Sequence, residues 1–261
     1  MQSLSLQNYS RLNDGFDRLM CVIEYQRYLH RAVGGGGSNA RTKFKQERLS
    51  FTGYPGNHDY YFYKNALIPC FKLFERYRKI SACYPEQFSS LLDISACRGF
   101  YVFDASKRWD LDTAVGVDVV ADFIDYCKKA QVTMGDSKSC FLTATLEQYY
   151  HKLLAAGKQL DVTVFTGSYH YFYWGSAQNT TAYMDHDKIL GMLAAITRKR
   201  VIFSGRLEIS LLADYPGKIA ATHPQKALYD TAHFLESAGK YFDVTARGFL
   251  GKSRLFVLDK R

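Results

Sequence analysis

The chain has 261 residues, with 34 Lys and Arg against 25 Asp and Glu, giving a formal net charge of +9. Its hydrophobic share of 47% and aromatic share of 15% provide for a large buried core and exclude a mainly disordered chain. No apolar run approaches the roughly 20 residues that span a bilayer and no leader pattern opens the chain, so a cytoplasmic protein with no membrane partner is expected. The basic balance calls for an anionic partner without identifying it.

Residues 1–33 place Phe16, Leu19, Met20, Ile23 and Tyr28 at mixed three- and four-residue spacing, which predicts an amphipathic helix. Gly34–Ser38 reads as a flexible linker, natural or engineered. Arg41, Lys43, Lys45 and Arg48 then form a basic stretch around Phe44, either a solvated face or a contact for an anionic substrate. Tyr54-Pro55-Gly56-Asn57 is a turn signal. Tyr60, Tyr63, Leu67, Phe71, Phe74 and Tyr77 predict one helix over 59–80, which Pro69 would kink or split in two. Much of the excess positive charge falls in residues 41–79. The expected organisation is a helical N-terminal extension or lid over 1–84 and a second domain over 85–261.

From residue 90 onward, short apolar runs alternate with helical stretches. Strands are expected at 91–94, 114–118, 139–142, 160–165 and 200–203, with helices near 100–108, 120–130, 145–157 and 186–198. Such alternation predicts an α/β fold with a mostly parallel, doubly wound sheet. Runs near 241–247 and 253–259 are too close for a helical crossover and should form an antiparallel hairpin.

Six cysteines lack the spacing of zinc or redox sites, and the seven histidines form no H-E-x-x-H pattern, so no metal is expected. Asp185-His186-Asp187 is the one local acid and histidine cluster, and an acid-rich helix start accounts for it.

The expected ligand crevice lies beyond the carboxyl ends of the parallel strands. The first strand runs into Asp93-Ile94-Ser95-Ala96-Cys97-Arg98-Gly99, where small residues let a loop approach a ligand. The second ends at Asp118, followed by Val119, and an acid there can accept both hydroxyl hydrogens of a ribose. A dinucleotide-binding oxidoreductase would need G-x-G-x-x-G around a pyrophosphate, and the loop holds Gly99 alone.

This stretch resembles the class I S-adenosylmethionine-dependent methyltransferases, whose first motif reads roughly D-x-G-x-G-x-G. Asp93 and Gly99 match it, while Ser95 and Cys97 stand where the first two glycines would be. Gly116-Val117-Asp118-Val119 resembles the ribose-binding strand end, and Ala144 and Thr145 stand where the family contacts adenine. Leu160–Gly167 resembles the fourth motif, and the final hairpin resembles the family's reversed last strand. The resemblance covers residues 85–261. It implies a Rossmann-like domain binding S-adenosyl-L-methionine through Asp93, Ser95, Ala96, Cys97, Gly99, Asp118, Val119, Ala144, Thr145, Thr166 and Gly167.

Substrate residues should follow the fourth strand, where Tyr169-His170-Tyr171-Phe172-Tyr173-Trp174 is unbroken aromatic sequence. These rings either stack on a planar acceptor or the sulfonium, or form a hydrophobic cover over the cofactor. His170, with Tyr169 beside it, is the general-base candidate, a satisfied core histidine being the other reading. Tyr171 and Tyr173, with His58, Tyr60 and Tyr61 of the extension, complete the substrate candidates. No N-P-P-Y or D-P-P-Y motif follows the fourth strand and no Pro-Cys pair occurs in residues 85–261, which argues against base N-methylation and 5-methylpyrimidine chemistry. The expectation is methyl transfer to a small molecule or RNA. The alternative is an inactive Rossmann-like module that binds RNA or a protein.

Overall fold

A computed structural model describes residues 6–35, 38–53, 58–109, 111–176, 183–212 and 214–261. The chain divides into two compact units, Met1–Arg78 and Lys79–Arg261.

The first unit begins with helices α1 (Leu6–Val33) and α2 (Ser38–Glu47). Strands β1 (Leu49–Phe51), β2 (Tyr60–Tyr63) and β3 (Ala66–Pro69) follow as an antiparallel sheet in that order. The single helix expected over 59–80 is therefore incorrect: helix α3 (Phe71–Ser81) begins only after the hairpin. Tyr60-Tyr61-Phe62-Tyr63 favours a pleated strand. Lys64 and Asn65 both take positive φ, 47° and 62°, closing a two-residue turn that pairs Tyr63 with Ala66. The apparent helical rhythm of the aromatics arose by joining a strand pair to a helix. The turn expected at Tyr54–Asn57 lies outside the described residues, as do Gly36 and Gly37.

Val33, Phe44, Tyr63 and Ile68 form the core of this unit. The Tyr28 hydroxyl donates to the Leu67 carbonyl at 2.5 Å and that of Tyr25 to Pro69 at 3.1 Å, tying α1 to β3. Arg78 bonds Asp17 and Glu24 of α1.

The second unit is built on a seven-stranded sheet. Its strands are β4 (Ser90–Ile94), β5 (Thr113–Asp118), β6 (Ser139–Thr143), β7 (Leu160–Thr166), β8 (Thr197–Gly205), β9 (Phe242–Leu250) and β10 (Ser253–Lys260). Their order is β6-β5-β4-β7-β8-β10-β9. The first five are parallel, and β10 inserts between β8 and β9, antiparallel to both. Both the doubly wound sheet and the antiparallel hairpin follow the sequence expectation. All five residues of β4 are buried, the burial expected of a central parallel strand covered on both faces.

Helices α4 (Phe100–Arg108), α5 (Ala121–Thr133), α6 (Leu146–Ala155) and α8 (His186–Ile196) fall close to the expected ranges. Three helices were not foreseen: α7 (Tyr169–Trp174), α9 (Asp214–Thr222) and α10 (Thr231–Ala238). Leu92, Ile94, Phe165, Phe203, Phe234 and Phe256 belong to one continuous core, each large apolar side chain contributing about 1.5–3 kcal/mol on burial.

Two glycines make room for the rings packed between α4 and the sheet. A Cβ on Gly99 would stand 2.9 Å from the rings of both Phe103 and Phe141, and one on Gly116 would stand 2.7 Å from Phe141. The glycine at the start of α4 thus serves close helix–strand packing.

Candidate active site

Strands β4 and β7 are parallel neighbours, Asp93 lying opposite Val164. The chain leaves β4 for β5 on one side and β7 for β8 on the other. Their carboxyl ends therefore flank the point where strand order reverses, the place where open α/β sheets bind ligands.

The loop after β4 makes a tight cradle. The amides of Ser95 and Ala96 both donate to the Val117 carbonyl, at 2.8 and 3.0 Å. Ser95, Cys97 and Gly99 all have positive φ, at 97°, 47° and 81°. These are the three positions at which the resembled motif carries glycine. Ser95 and Cys97 hold a backbone that side-chain-bearing residues adopt at a cost of about 1–3 kcal/mol. Ala96 is buried between them.

Asp118 closes the cradle from β5. Its Oδ2 accepts the Cys97 N–H at 2.9 Å and its Oδ1 the Val120 N–H at 3.0 Å, with Val119 half-buried between. Each carboxylate oxygen keeps further lone-pair capacity after one such bond. Ribose hydroxyls can therefore donate to Asp118 without breaking the loop. Asp93 is buried at 3% exposure, and burial together with repulsion from Asp118 pushes it up to about 8. Its carboxyl is thus held protonated at neutral pH and can donate a hydrogen bond. Burial, followed by the Asp118 charge, also raises the Cys97 and Cys127 thiols, so neither is poised as a thiolate.

At the end of β6, Ala144 donates its N–H to the Asp118 carbonyl at 3.0 Å. The polar atoms of Thr145 serve α6: its hydroxyl accepts from Gln148 N–H, its N–H donates to the Gln148 side chain, and its carbonyl accepts from Tyr149. This is a reciprocal capping box, signalled by the sequence Thr145-Leu146-Glu147-Gln148. Thr145 can border an adenine by its methyl group; its polar atoms already have partners.

At the end of β7, Thr166 is half-buried and Gly167 turns with φ 79°, its N–H donating to the Ser204 carbonyl at 2.8 Å. Ser168, which sequence reasoning passed over, donates its hydroxyl to Ser95 Oγ at 2.7 Å and joins the loops after β4 and β7. Its one sequence signal is a small polar residue beside a turn glycine.

The aromatic run is mostly core. Tyr169 and Tyr173 are fully buried and Trp174 nearly so, while Tyr171 is 41% exposed. The Tyr169 hydroxyl bonds His186 Nδ1, and the rings stack at 5.7 Å. Burial raises the Tyr169 hydroxyl well above its usual pKa. The hydroxyl thus already has a partner in the core, which does not fit the role expected of Tyr169 beside the base. Tyr173 packs on Tyr229 and His186 at 4.6 and 4.7 Å and cannot serve as an open stacking platform. His170 is different: it is 5% exposed, and among the described residues its Nδ1 has no hydrogen-bond partner. Burial, with the charge of Arg206 adding to it, lowers its pKa to about 4. It is therefore unprotonated at neutral pH and a weaker base than a free imidazole.

The expected acid and histidine cluster has structural roles. Asp185 caps α8 through Lys188 N–H at 2.7 Å, His186 also meets the Leu228 carbonyl at 3.0 Å, and Asp187 pairs with Lys240 at 2.6 Å. Among the described residues no group of three His, Cys, Asp or Glu could hold a metal ion, and all six cysteines are free. No described helix is long and apolar enough to cross a membrane.

In the first unit, Tyr60 is fully buried and stacks on Phe51 at 5.3 Å. Tyr61 carries the Arg48 guanidinium over its ring at 3.9 Å, and His58 is half-buried.

A parallel sheet wound in both directions from β4 and β7, with a reversed strand inserted before the edge strand, is the topology that the resemblance implies. The fold is a Rossmann-like one, similar to that of the class I methyltransferases. No protein-family model matches the sequence, and no curated protein is detectably similar to it. Solved structures similar to the chain include monomeric WbdD, at 19% identity and a TM-score of 0.46 over 71% of this chain and 39% of that one. The chain thus spans about two fifths of the length of WbdD. Magnesium protoporphyrin IX methyltransferase from Synechocystis PCC 6803, solved with bound SAM, matches at 12% identity and 0.45 over 71% and 76%. A SAM-dependent methyltransferase from Aquifex aeolicus matches at 14% and 0.46 over 72% and 90%.

Proposed function

We propose that this chain is a methyltransferase that uses S-adenosyl-L-methionine, with residues 85–261 as the catalytic domain and the acceptor bound beyond β7. The observation that carries the reading is the loop after β4. Three positive-φ residues lie there, Ser95, Cys97 and Gly99, and the loop is tied to the neighbouring strand end by the Ser95 N–H on the Val117 carbonyl and the Cys97 N–H on Asp118. In this reading Asp118 accepts the ribose hydroxyls, the Ser95–Gly99 backbone borders the cofactor's amino-acid portion, and Ala144 and Thr145 flank the adenine.

When bound, the cofactor supplies a methyl group activated on a sulfonium. The chain's own work is to orient the acceptor and to receive its proton. His170 Nδ1 is the proton acceptor in this reading: among the described residues it lacks a partner, it lies in α7 four residues after the end of β7, and burial keeps it unprotonated while making it a weak base. Tyr171 is the exposed ring of the run and borders the acceptor. Thr166, Gly167 and Ser168 position the loop that carries them. The acceptor is a small molecule or RNA.

Calorimetric titration with S-adenosyl-L-methionine and, in parallel, with NAD tests this reading. Saturable binding of the first and none of the second is expected. The reverse order of affinities would assign the crevice to a dinucleotide.

A further inference from the structure

The methyl-transfer reading leaves the charge of the first unit unexplained. Residues 1–78 hold twelve Lys and Arg against six Asp and Glu, so they carry +6 of the chain's net +9. This excess gathers around a cavity of about 1050 Å³ lined by α1, α2 and α3.

Arg27, Arg31, Arg41 and Lys45 line that cavity and are exposed. Among the described residues none of the four has an ion pair or hydrogen-bond partner for its side chain. Lys43, by contrast, lies on α2 but outside the cavity lining, and pairs with Glu47 at 3.7 Å. Glu24 is the one acid in the lining, and it is paired with Arg78 at 3.4 Å. Arg27 and Arg31 are one turn apart on α1, and Arg41 and Lys45 are one turn apart on α2. Residues four apart share a helix face, so each helix presents a pair of like charges to the cavity. Two unneutralised pairs on one concavity repel each other, a cost that an anionic ligand with several charges would reverse.

We propose that this groove binds the phosphate backbone of single-stranded nucleic acid. One helical turn rises about 5.4 Å, a step comparable to that between successive phosphates of an extended strand. A positively charged groove that follows the backbone is the general device for such binding. Of the rings that line it, Phe44 and Phe74 are buried at 8% and 5% exposure, while Tyr28 is half-buried and His30 is exposed. The four cations read charge and spacing, so binding through them tolerates any base sequence. Its concavity suits a strand better than the flat surface of a bilayer. The inference does not depend on methyl transfer by the second unit.

The test uses the full chain and a fluorescent oligouridylate, read by anisotropy across a salt series. Four phosphate contacts predict a slope of about −3 in log affinity against log salt. Replacing either pair, Arg27→Gln with Arg31→Gln or Arg41→Gln with Lys45→Gln, should bring the slope to about −1.4. Lys252→Gln, a substitution in the second unit, should leave it unchanged. An oligodeoxycytidylate of equal length should bind comparably. A flat salt response, or unchanged affinity in the quadruple Gln variant with its circular dichroism melt intact, would overturn the proposal. Tighter binding to polyglutamate or to phosphatidylserine vesicles than to either oligonucleotide would also overturn it, in favour of an acidic protein or a membrane. S-Adenosyl-L-methionine titrated into the same variants separates the two readings, since binding there is expected to be unchanged.

Discussion

Ser95 offers a test of the cradle in which the sign alone decides. Its φ of 97° is a conformation that glycine adopts freely and other residues adopt at a cost. Its hydroxyl accepts a bond from Ser168 at 2.7 Å. Ser95→Ala removes that bond, worth about 1 kcal/mol, and leaves the backbone cost in place. Ser95→Gly removes the same bond but relieves roughly 1–2 kcal/mol of strain, less about 0.5–1 kcal/mol for the freedom glycine gains in the unfolded chain. The glycine variant should therefore be more stable than the alanine variant by about 0.5–1 kcal/mol. At an ordinary strand or helix position the order would be the opposite, by a similar amount. Urea unfolding followed by tryptophan fluorescence reads the right unit, because both tryptophans, Trp109 and Trp174, lie in residues 79–261. A glycine variant less stable than the alanine variant, at equal slopes, would refute the strained-cradle reasoning.

The remaining predictions concern packing and titration. Gly99→Ala adds a Cβ 2.9 Å from Phe103 and Phe141 at a φ of 81°, so a loss of about 2–4 kcal/mol is expected in the same assay; a loss below 1 kcal/mol would show that α4 can move away. Asp161 accepts the Ser89 N–H at 2.7 Å and the Arg198 guanidinium at 2.6 Å, so Asp161→Ala should cost about 2–3 kcal/mol, and a neutral result would contradict it. Folded Asp93 keeps its proton up to about 8, whereas the unfolded carboxyl releases it near 3.8. Native protein should therefore lose stability relative to Asp93→Asn as pH rises from about 4 to about 8, by at most 1.4 kcal/mol per unit; a pH-independent gap would contradict the burial of Asp93. Folded His170 takes up a proton only near 4, against 6.5 in the unfolded chain. Native protein should accordingly lose stability relative to His170→Gln as pH falls from 6.5 to about 4, and an unchanged gap would place His170 in contact with solvent.

The sheet was legible because buried parallel strands are continuous apolar runs, as in Leu91-Leu92, Ala114–Val117 and Val201-Ile202-Phe203, with the acids Asp93 and Asp118 following the first two. The loop was legible from small residues, although positive φ at Ser95 and Cys97 is a property of the folded chain alone. The β2–β3 hairpin was misread because its aromatics happened to fall on three- and four-residue spacing with those of α3. Burial of Tyr169 and Tyr173 could not be read from six consecutive rings, whose periodicity is satisfied by any face. Their partners, His186 and Tyr229, lie 17 and 56 residues beyond Tyr169 and Tyr173 in the sequence. The spacing of Thr145 and Gln148 carries a capping-box signal that the reading of Thr145 as an adenine contact passed over.

The central claim is that the Ser95–Gly99 cradle and Asp118 together hold a nucleoside cofactor. Titration of S-adenosyl-L-methionine into the native chain and into Asp118→Asn, with folding monitored by circular dichroism, tests it most directly. Saturable one-to-one binding is predicted for the native chain, weakened in the variant by about 1–3 kcal/mol through the lost charged hydrogen bonds. Folded native protein that gives no saturable heat, or a variant that binds as tightly, would contradict it.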